Sequence, residues 1–357
     1  MHTSSDLTAE IAEQIRQANA TGLALEILGN ATKRFYGRET CGEPLRMTEH
    51  RGIVNYEPSE LVLTARSGTP LTELTARLAE HDQMLAFEPP CFAGEATLGG
   101  AIAAGLAGPR RPFAGSVRDM VLGVRIVNGR GQVLQFGGQV MKNVAGYDLS
   151  RLMVGALGTL GVILEVSLKL LPVPQNEQTL TVDEPVARIY ELTEQWLRAG
   201  VPVSAVAHDG ARLYVRLSGA ASAVAFGRRR IGGQDFGSAE RFWRELRDHR
   251  LAFFTCRGEE SLWRIVLPAA ASPPDLPGAW INDWAGRQIW LRTDTDPTRI
   301  RREAQRLGGH ATHFRGGDRS ADVFQPLDAP LLGLHQRLKQ AFDPTGILNP
   351  GRLYAPL

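Results

Sequence analysis

Glu88-Pro89-Pro90-Cys91-Phe92-Ala93-Gly94-Glu95-Ala96-Thr97-Leu98-Gly99-Gly100-Ala101-Ile102-Ala103 is the stretch that decides the fold. Thr97 precedes paired glycines, and small residues follow. Main chain of this kind can approach a flat or charged ligand closely; close packing of small residues against another element is the competing reading. Upstream, Leu61–Arg66 (LVLTAR) reads as a buried strand. Thr69 is placed to cap, Pro70 suits a first helical position, and Leu71, Leu74 and Leu78 form one apolar stripe. Strand, turn and helix in that order are an α/β signature. Further upstream, Leu7, Ile11, Ile15 and Ala18 recur at helical spacing, with Ser5 or Asp6 as N-cap, and LALEIL reads as a strand ending at Gly29.

Four more glycine-bearing segments surround this one. Gly29-Asn30-Ala31-Thr32-Lys33-Arg34 follows the first strand. Its N–H groups can converge on an anion, with Thr32 offering a hydroxyl and Lys33 and Arg34 charge; a plain strand-to-turn connection competes. It is not GxGxxG, so the usual dinucleotide fingerprint is absent. Gly115–Gly123 contains Arg118 and Asp119. Met141–Leu152 follows, and Gly155-Ala156-Leu157-Gly158-Thr159-Leu160-Gly161-Val162-Ile163 runs into a strand, Val162–Leu170, whose apolar and polar residues alternate. Val121–Val127 and Gln132–Phe136 are strands joined by the turn sequence NGRG.

The chain has 357 residues, 43% hydrophobic and 22% charged, with net charge +2, as expected for a globular protein of about two domains. No long basic stripe points to nucleic acid; Arg228-Arg229-Arg230 reads as a solvated helix face. Cys41, Cys91 and Cys256 are dispersed, with no CxxC, so the chain alone cannot build a four-cysteine iron–sulfur or zinc site. The N-terminus has no signal-peptide pattern, and no apolar run reaches the ~18 residues of a membrane span. The expectation is a cytoplasmic protein without metal.

A boundary falls near Pro172–Gln178. Beyond it, LYVRL, WRIVL and QIWLR read as strands separated by helical segments, an α+β domain with a largely antiparallel sheet. Asp183 or Glu184 with Pro185, and Asp296 with Pro297, open helices. Leu331, Leu334, Leu338 and Phe342 make the stripe of a last helix, and DPTGILNPGR is a fixed, turn-rich tail.

Taken together and in this order, the loop at Gly29, TLGGAIA, VRDMVLG, GTLGVI and DPTGILNPGR resemble the vanillyl-alcohol-oxidase/PCMH-type FAD-binding proteins. FGGQVMKNVAGYDLSRL is similar to the E-subunit branch of bacterial glycolate oxidases. The resemblance implies two α/β subdomains clasping FAD in residues 1–174, an α+β cap in 175–325, and a helix and tail in 326–357 that return to the FAD domain. It places Gly29, Asn30, Ala31, Thr32, Lys33 and Arg34 at the pyrophosphate. Thr97, Leu98, Gly99, Gly100, Gly161, Val162 and Ile163 would lie along the cofactor, Arg118 and Asp119 in a contact segment, and Asn349 and Arg352 at the flavin edge. Ala31 departs from the family, whose loop is richer in glycine. With no histidine in Gly29–Arg34, and Cys91 the only thiol near, noncovalent FAD is expected.

Oxidising a 2-hydroxy acid needs a base for the hydroxyl proton and a cation for the carboxylate. The catalytic relatives carry a histidine cluster of the form EHGIG, which this sequence lacks. His310 and His313, three apart, fall on opposite sides of a strand; His208 reads as a hairpin residue and His335 as structural. Arg110, Arg111 and Arg118 remain as ligand-binding cations. The resemblance therefore implies a subunit of a glycolate-oxidising complex. A paralogous catalytic flavoprotein and an iron–sulfur subunit would be its partners, with docking at the inner face of the membrane through them. A free-standing 2-hydroxy-acid dehydrogenase and a flavin-free scaffold are the alternatives.

Overall fold

The computed structural model describes residues 4–92, 94–138, 148–268, 273–318 and 321–357. Helix α1 (Thr8–Thr21) buries Ile11, Ala12, Ile15 and Ala18 and stops at Gly22, whose positive φ suits a glycine stop. The expected caps are not used. Leu7 occupies the N-cap without a side-chain bond, and Asp6 accepts instead from the N–H and hydroxyl of Thr8. Strands β1 (Leu25–Leu28) and β2 (Glu43–Arg46) pair in parallel, with the first glycine loop strung between them.

A five-stranded sheet follows from β3 (Ile53–Glu57), β4 (Val62–Arg66), β5 (Val121–Val127), β6 (Val133–Gly137) and β7 (Val162–Lys169), in the order β3-β4-β7-β5-β6. Every pairing in it is antiparallel. The strand–turn–helix reading was right for β4 and helix α2 (Leu71–Ala79), but the chain comes back into the sheet through the β5–β6 hairpin, which needs no parallel crossover. Thr69 does not cap α2. Its hydroxyl accepts the Gly52 N–H at 2.9 Å, and Pro70 takes the N-cap position. Helix α3 (Leu98–Ala104) is capped by Thr97, whose hydroxyl accepts from the Gly100 N–H. Leu63, Leu74, Leu78, Leu98, Ile102 and Val166 share one core on α2 and α3, while Ile15, Val127, Val162 and Leu164 form a second against α1.

Residues from Asn176 onward build an eight-stranded, wholly antiparallel sheet. Its strands are β8 (Asn176–Val182), β9 (Val203–His208), β10 (Leu213–Gly219), β11 (Ser261–Val266), β12 (Ala279–Asp283), β13 (Gln288–Thr293) and β14 (His310–Arg315), with the short pair Gln234–Asp235 on the outer edge. Helices α4 (Ile189–Arg198), α5 (Ala221–Ile231), α6 (Ala239–Arg247) and α7 (Pro297–Arg306) pack beside it. Asp296 caps α7 as its sequence indicates, accepting from the N–H groups of Thr298 and Arg299. A buried ionic network joins this sheet to the first part of the chain: Arg110 bonds Glu177 at 2.7 Å and Arg216 bonds Glu88 at 2.8 Å. The Trp284 indole N–H also donates to the Gly108 carbonyl.

The last helix, α8 (Ala329–Phe342), is N-capped by Asp328. Two leucines of its stripe, Leu331 and Leu334, stay exposed. The tail then runs back to the first strand: Leu25 N–H donates to the Ile347 carbonyl, and Asn349 N–H to the Leu25 carbonyl.

Candidate cofactor cleft

A cleft of about 820 Å³, open solvent at its mouth included, runs between the β1–β2 loop, the start of α3, the turn before β7 and the C-terminal tail. It is lined by Glu26 through Arg34, so all six loop residues expected at the pyrophosphate are there, together with Thr97, Gly99, Gly100, Gly161, Ile163, Asn349 and Arg352. Four of the expected residues, Leu98, Arg118, Asp119 and Val162, do not line it. Leu98 and Val162 point into the two cores, as apolar side chains beside a glycine pair and at a strand start must. Asp119 caps its own short helix, accepting from the N–H and hydroxyl of Ser116. Arg118 lines a different cavity. The string Met141–Leu152 lies largely outside the described residues.

The loop leaves a run of main-chain donors unused. The N–H groups of Asn30, Ala31, Thr32 and Lys33 donate to no described residue. Ala31 sits at φ 54°, and successive N–H groups around a left-handed residue form a concave anion nest. The loop is held open by Asn30, whose side-chain amide donates to the Glu95 carbonyl at 2.8 Å. Gly29 is obligatory for a different reason: a β-carbon there would run into Thr97 Oγ1. A left-handed alanine costs roughly 1–2 kcal/mol that glycine avoids. Ala31→Gly is therefore expected to stabilise the chain by about 1 kcal/mol and leave the cleft intact, as read by the urea midpoint.

Charge at the cleft is divided unequally. Arg34 is engaged in a bidentate pair with the buried carboxylate of Glu26, both bonds 2.9 Å. Lys33 is the cation left to the nest; its ammonium lies 3.4 Å from Thr32 Oγ1 and 5.7 Å from the centre of the Phe92 ring. Burial pulls Lys33 down to about 8, with Cys91 and Asp248 opposing the shift. An anion bound in the nest favours the charged lysine and raises its pKa, so affinity is full below pH 8. It falls as pH rises from about 8 toward the pKa of the complex. Titrating the flavin-stripped chain with FAD between pH 7 and 9.5 should show that decline, and Lys33→Met should flatten it.

Two hydroxyls that line the cleft, Thr40 Oγ1 and Ser67 Oγ, are buried without a hydrogen-bond partner among the described residues. Buried polar groups are rarely left so, and a ligand rich in hydroxyls and phosphates supplies what they lack. The nest, the orphaned hydroxyls and the glycine cradle all fit FAD. No sequence signal marked Thr40 or Ser67. Glu26 had one, an acid inside the apolar run LALEIL, eight residues ahead of its arginine.

Asn349 and Arg352 take part through the loop itself. Asn349 Oδ1 accepts from Ile27 N–H at 2.8 Å, and its Nδ2 donates to the Leu157 carbonyl at 2.6 Å. Arg352 donates to the carbonyls of Arg34, Tyr36 and Arg38 at 2.7–2.8 Å. Both hold main chain in place around the cleft. Arg110 is enclosed in its ionic network and Arg111 stacks 4.3 Å from the Trp284 ring centre. Cys91 lies outside the cleft lining, and burial followed by Asp248 pushes its thiol up. His313 stacks on Trp263 inside the cap and His310 is exposed on the opposite side of β14. His208 closes its hairpin, accepting the Gly210 N–H. Among the described residues no group of three or more histidine, cysteine, aspartate or glutamate side chains is placed to hold a metal.

A cleft walled by a glycine loop, the start of α3, the turn before β7 and the returning tail, in a chain that adds a second, antiparallel-sheet domain, points to the class of FAD-linked oxidoreductases. Residues 6–137 match the FAD binding domain family and residues 288–353 the C-terminal domain of FAD linked oxidases. The p-cresol methylhydroxylase structure superposes with a TM-score of 0.71 over 98% of this chain and 87% of that one, at 16% identity, which fixes the PCMH-type fold. The chain belongs to the family of glycolate oxidase subunit GlcE: it is 47% identical to that protein of Escherichia coli (strain K12) over 99% of both chains. Glycolate oxidase subunit GlcD of Bacillus subtilis (strain 168) is 34% identical over 36% of this chain and 27% of its own length. FAD is the cofactor of this chain.

Proposed function

We propose that this chain is the FAD-holding subunit of a glycolate oxidase, oxidising glycolate to glyoxylate within a complex rather than alone. The observation that carries the reading is a glycine-lined cleft with unpartnered main-chain and hydroxyl donors in a chain similar end to end to subunit GlcE. FAD supplies the hydride and electron chemistry when bound. The chain's own residues bind and position it: the Asn30–Lys33 N–H groups and Lys33 take the pyrophosphate, Gly99 and Gly100 leave room along it, and Asn349 and Arg352 keep the loop in shape. Binding is noncovalent, since no histidine stands in the loop and Cys91 is not in the cleft lining. Residues 1–174 act as the FAD domain, 175–325 as the cap and 326–357 as the return to the FAD domain.

Substrate chemistry and onward electron flow belong to partners in this reading. Three dispersed cysteines cannot ligate a four-cysteine cluster, so an iron–sulfur subunit carries electrons to a membrane acceptor, and a paralogous flavoprotein supplies the base. No helix among the described residues is long and apolar enough to cross a membrane; attachment to its inner face runs through those partners. The FAD-loaded, isolated chain is expected to turn over glycolate with an artificial acceptor far below the ~10 s⁻¹ typical of enzymes. Affinity purification of the native chain should bring down a second flavoprotein and an iron–sulfur protein. Typical turnover by the chain alone would instead establish a free-standing dehydrogenase, and a colourless native chain a scaffold.

A further inference from the structure

The residues just ahead of α1 are held by contacts from outside the helix. The Ser5 N–H donates to the Arg51 carbonyl at 2.9 Å, and Arg66 reaches Ser4 Oγ at 2.6 Å and Asp6 Oδ2 at 3.3 Å. The Gly52 main chain passes close by: a β-carbon there would come 2.6 Å from Ser4 Oγ. The Leu7 N–H, outside the first turn of α1, donates to Nδ1 of His50 at 3.0 Å.

His50 is wholly buried and does not line the cofactor cleft. To accept from Leu7, Nδ1 must be unprotonated, so the neutral ring carries its hydrogen on Nε2. Nε2 faces the Leu164 carbonyl without closing a hydrogen bond of ordinary geometry, and that carbonyl already takes the Ser67 N–H at 2.7 Å. The charged groups facing the ring are Asp6 ahead of α1, Arg66 of β4 and Glu165 of β7; the last two sit opposite one another in the sheet. Asp6 Oδ1 stands 3.9 Å from Nδ1 but is occupied by the hydroxyl and N–H of Thr8. Those bonds, the hydroxyl first, hold the Asp6 carboxyl down at about 2, so it stays charged.

A proton on Nδ1 removes the acceptor that Leu7 uses. It also sets a cation against the positive end of the α1 dipole, where cations are disfavoured. We propose that His50 is a proton-operated latch on the start of α1. Neutral, it pins residues 4–7 beside β4; protonated, it releases the Leu7 N–H and draws the Asp6 carboxylate away from Thr8. Burial pushes the pinned ring below its ordinary value, with Asp6 opposing and Arg66 adding to the shift. Above about pH 6.5, the ordinary histidine value, both pinned and released forms are neutral and the latch is at full strength. Below it the released form takes up a proton that the pinned form does not, and strength is lost as pH falls toward the lowered value. The latch belongs to the fold of the FAD module and does not depend on which substrate the chain serves.

The test is hydrogen–deuterium exchange of the FAD-loaded chain, read by mass spectrometry over residues 4–12 at pH 7.5 and 5.5, with labelling times corrected for the intrinsic rate. Opening of this segment should rise by up to about tenfold at the lower pH, the effect of one proton taken up over one pH unit. His50→Asn keeps an oxygen near the place of Nδ1 and cannot titrate, so its opening should be the same at both pH values. Asp6→Asn removes the carboxylate that steadies the imidazolium and should enlarge the acid opening beyond wild type. Flavin absorbance should not change between the two pH values, because the His50 carbonyl, not its ring, holds the Gly68 N–H in the turn that carries Ser67. Three results would overturn the latch: wild-type opening that ignores pH, a wild-type acid response in folded His50→Asn, or no extra acid opening in Asp6→Asn. Flavin lost in step with the exchange would mean general acid unfolding and also overturn it.

Discussion

Gly100→Trp will purify as a folded, colourless protein. A β-carbon on Gly100 meets only Thr97 Oγ1, at 3.2 Å, with no other heavy atom within 4 Å, and Gly100 lines the cleft. An indole there grows into the space the cofactor needs and leaves the protein's own packing alone. Gly99 makes the contrasting case. Its β-carbon would come within 2.5 Å of Ser67 Cβ and 3.1 Å of the Ser67 carbonyl, so Gly99→Trp forces the turn after β4 away from α3 and costs fold and flavin together. Gly100→Ala completes the series. Alanine is better than glycine inside a helix by roughly 0.5–1 kcal/mol, so that variant should be at least as stable as wild type while holding FAD more weakly. Flavin absorbance per chain, set beside far-ultraviolet circular dichroism, separates the three. Full flavin occupancy in a folded Gly100→Trp chain would remove the cleft from consideration as the cofactor site.

How much of this was legible beforehand follows from what each signal depends on. The loop at Gly29, the Thr97–Gly100 segment and the β5–β6 hairpin are local: glycine, capping hydroxyl and turn residues declare themselves within a few positions. The antiparallel cap sheet was readable because its strands are short and bounded by turns. The β4–α2 unit misled as to sheet type, because strand–turn–helix says nothing about how the next strand returns. Asp119 and Leu98 show a further limit. A motif places a segment near a ligand, but whether a given side chain faces it depends on a cap or a core decided elsewhere. Thr40, Ser67 and the Glu26–Arg34 pair became visible only when segments distant in sequence met around one cleft.

The tail DPTGILNPGR read as a fixed loop near the flavin, and what fixes it is a buried ion pair. Lys339 of α8 donates to Asp343 Oδ2 at 2.7 Å, to the Leu348 carbonyl at 2.8 Å and to the Thr159 carbonyl at 2.9 Å. Asp343 is buried and also accepts the N–H groups of Ile347 and Leu348. One ammonium thus ties the last helix, the tail and the turn before β7 together, and the next residue along, Asn349, clips β1 to Leu157. Lys339→Met keeps most of the volume but strands a buried carboxylate and two buried carbonyls. Breaking a buried pair from one side costs about 3–5 kcal/mol, a large share of the ~5–15 kcal/mol that holds a domain together. The variant should unfold at markedly lower urea and lose FAD before it unfolds, because the tail that props the cofactor loop is released first. Adding Asp343→Asn removes the stranded charge and keeps an acceptor for one of the two N–H groups, which bond different oxygens, so the double variant should be more stable than Lys339→Met alone. A double-mutant cycle measures that coupling. If Lys339→Met instead unfolds within about 0.5 kcal/mol of wild type, the surface-substitution range, the tail is held by its apolar contacts, and the ion pair is incidental to the cleft.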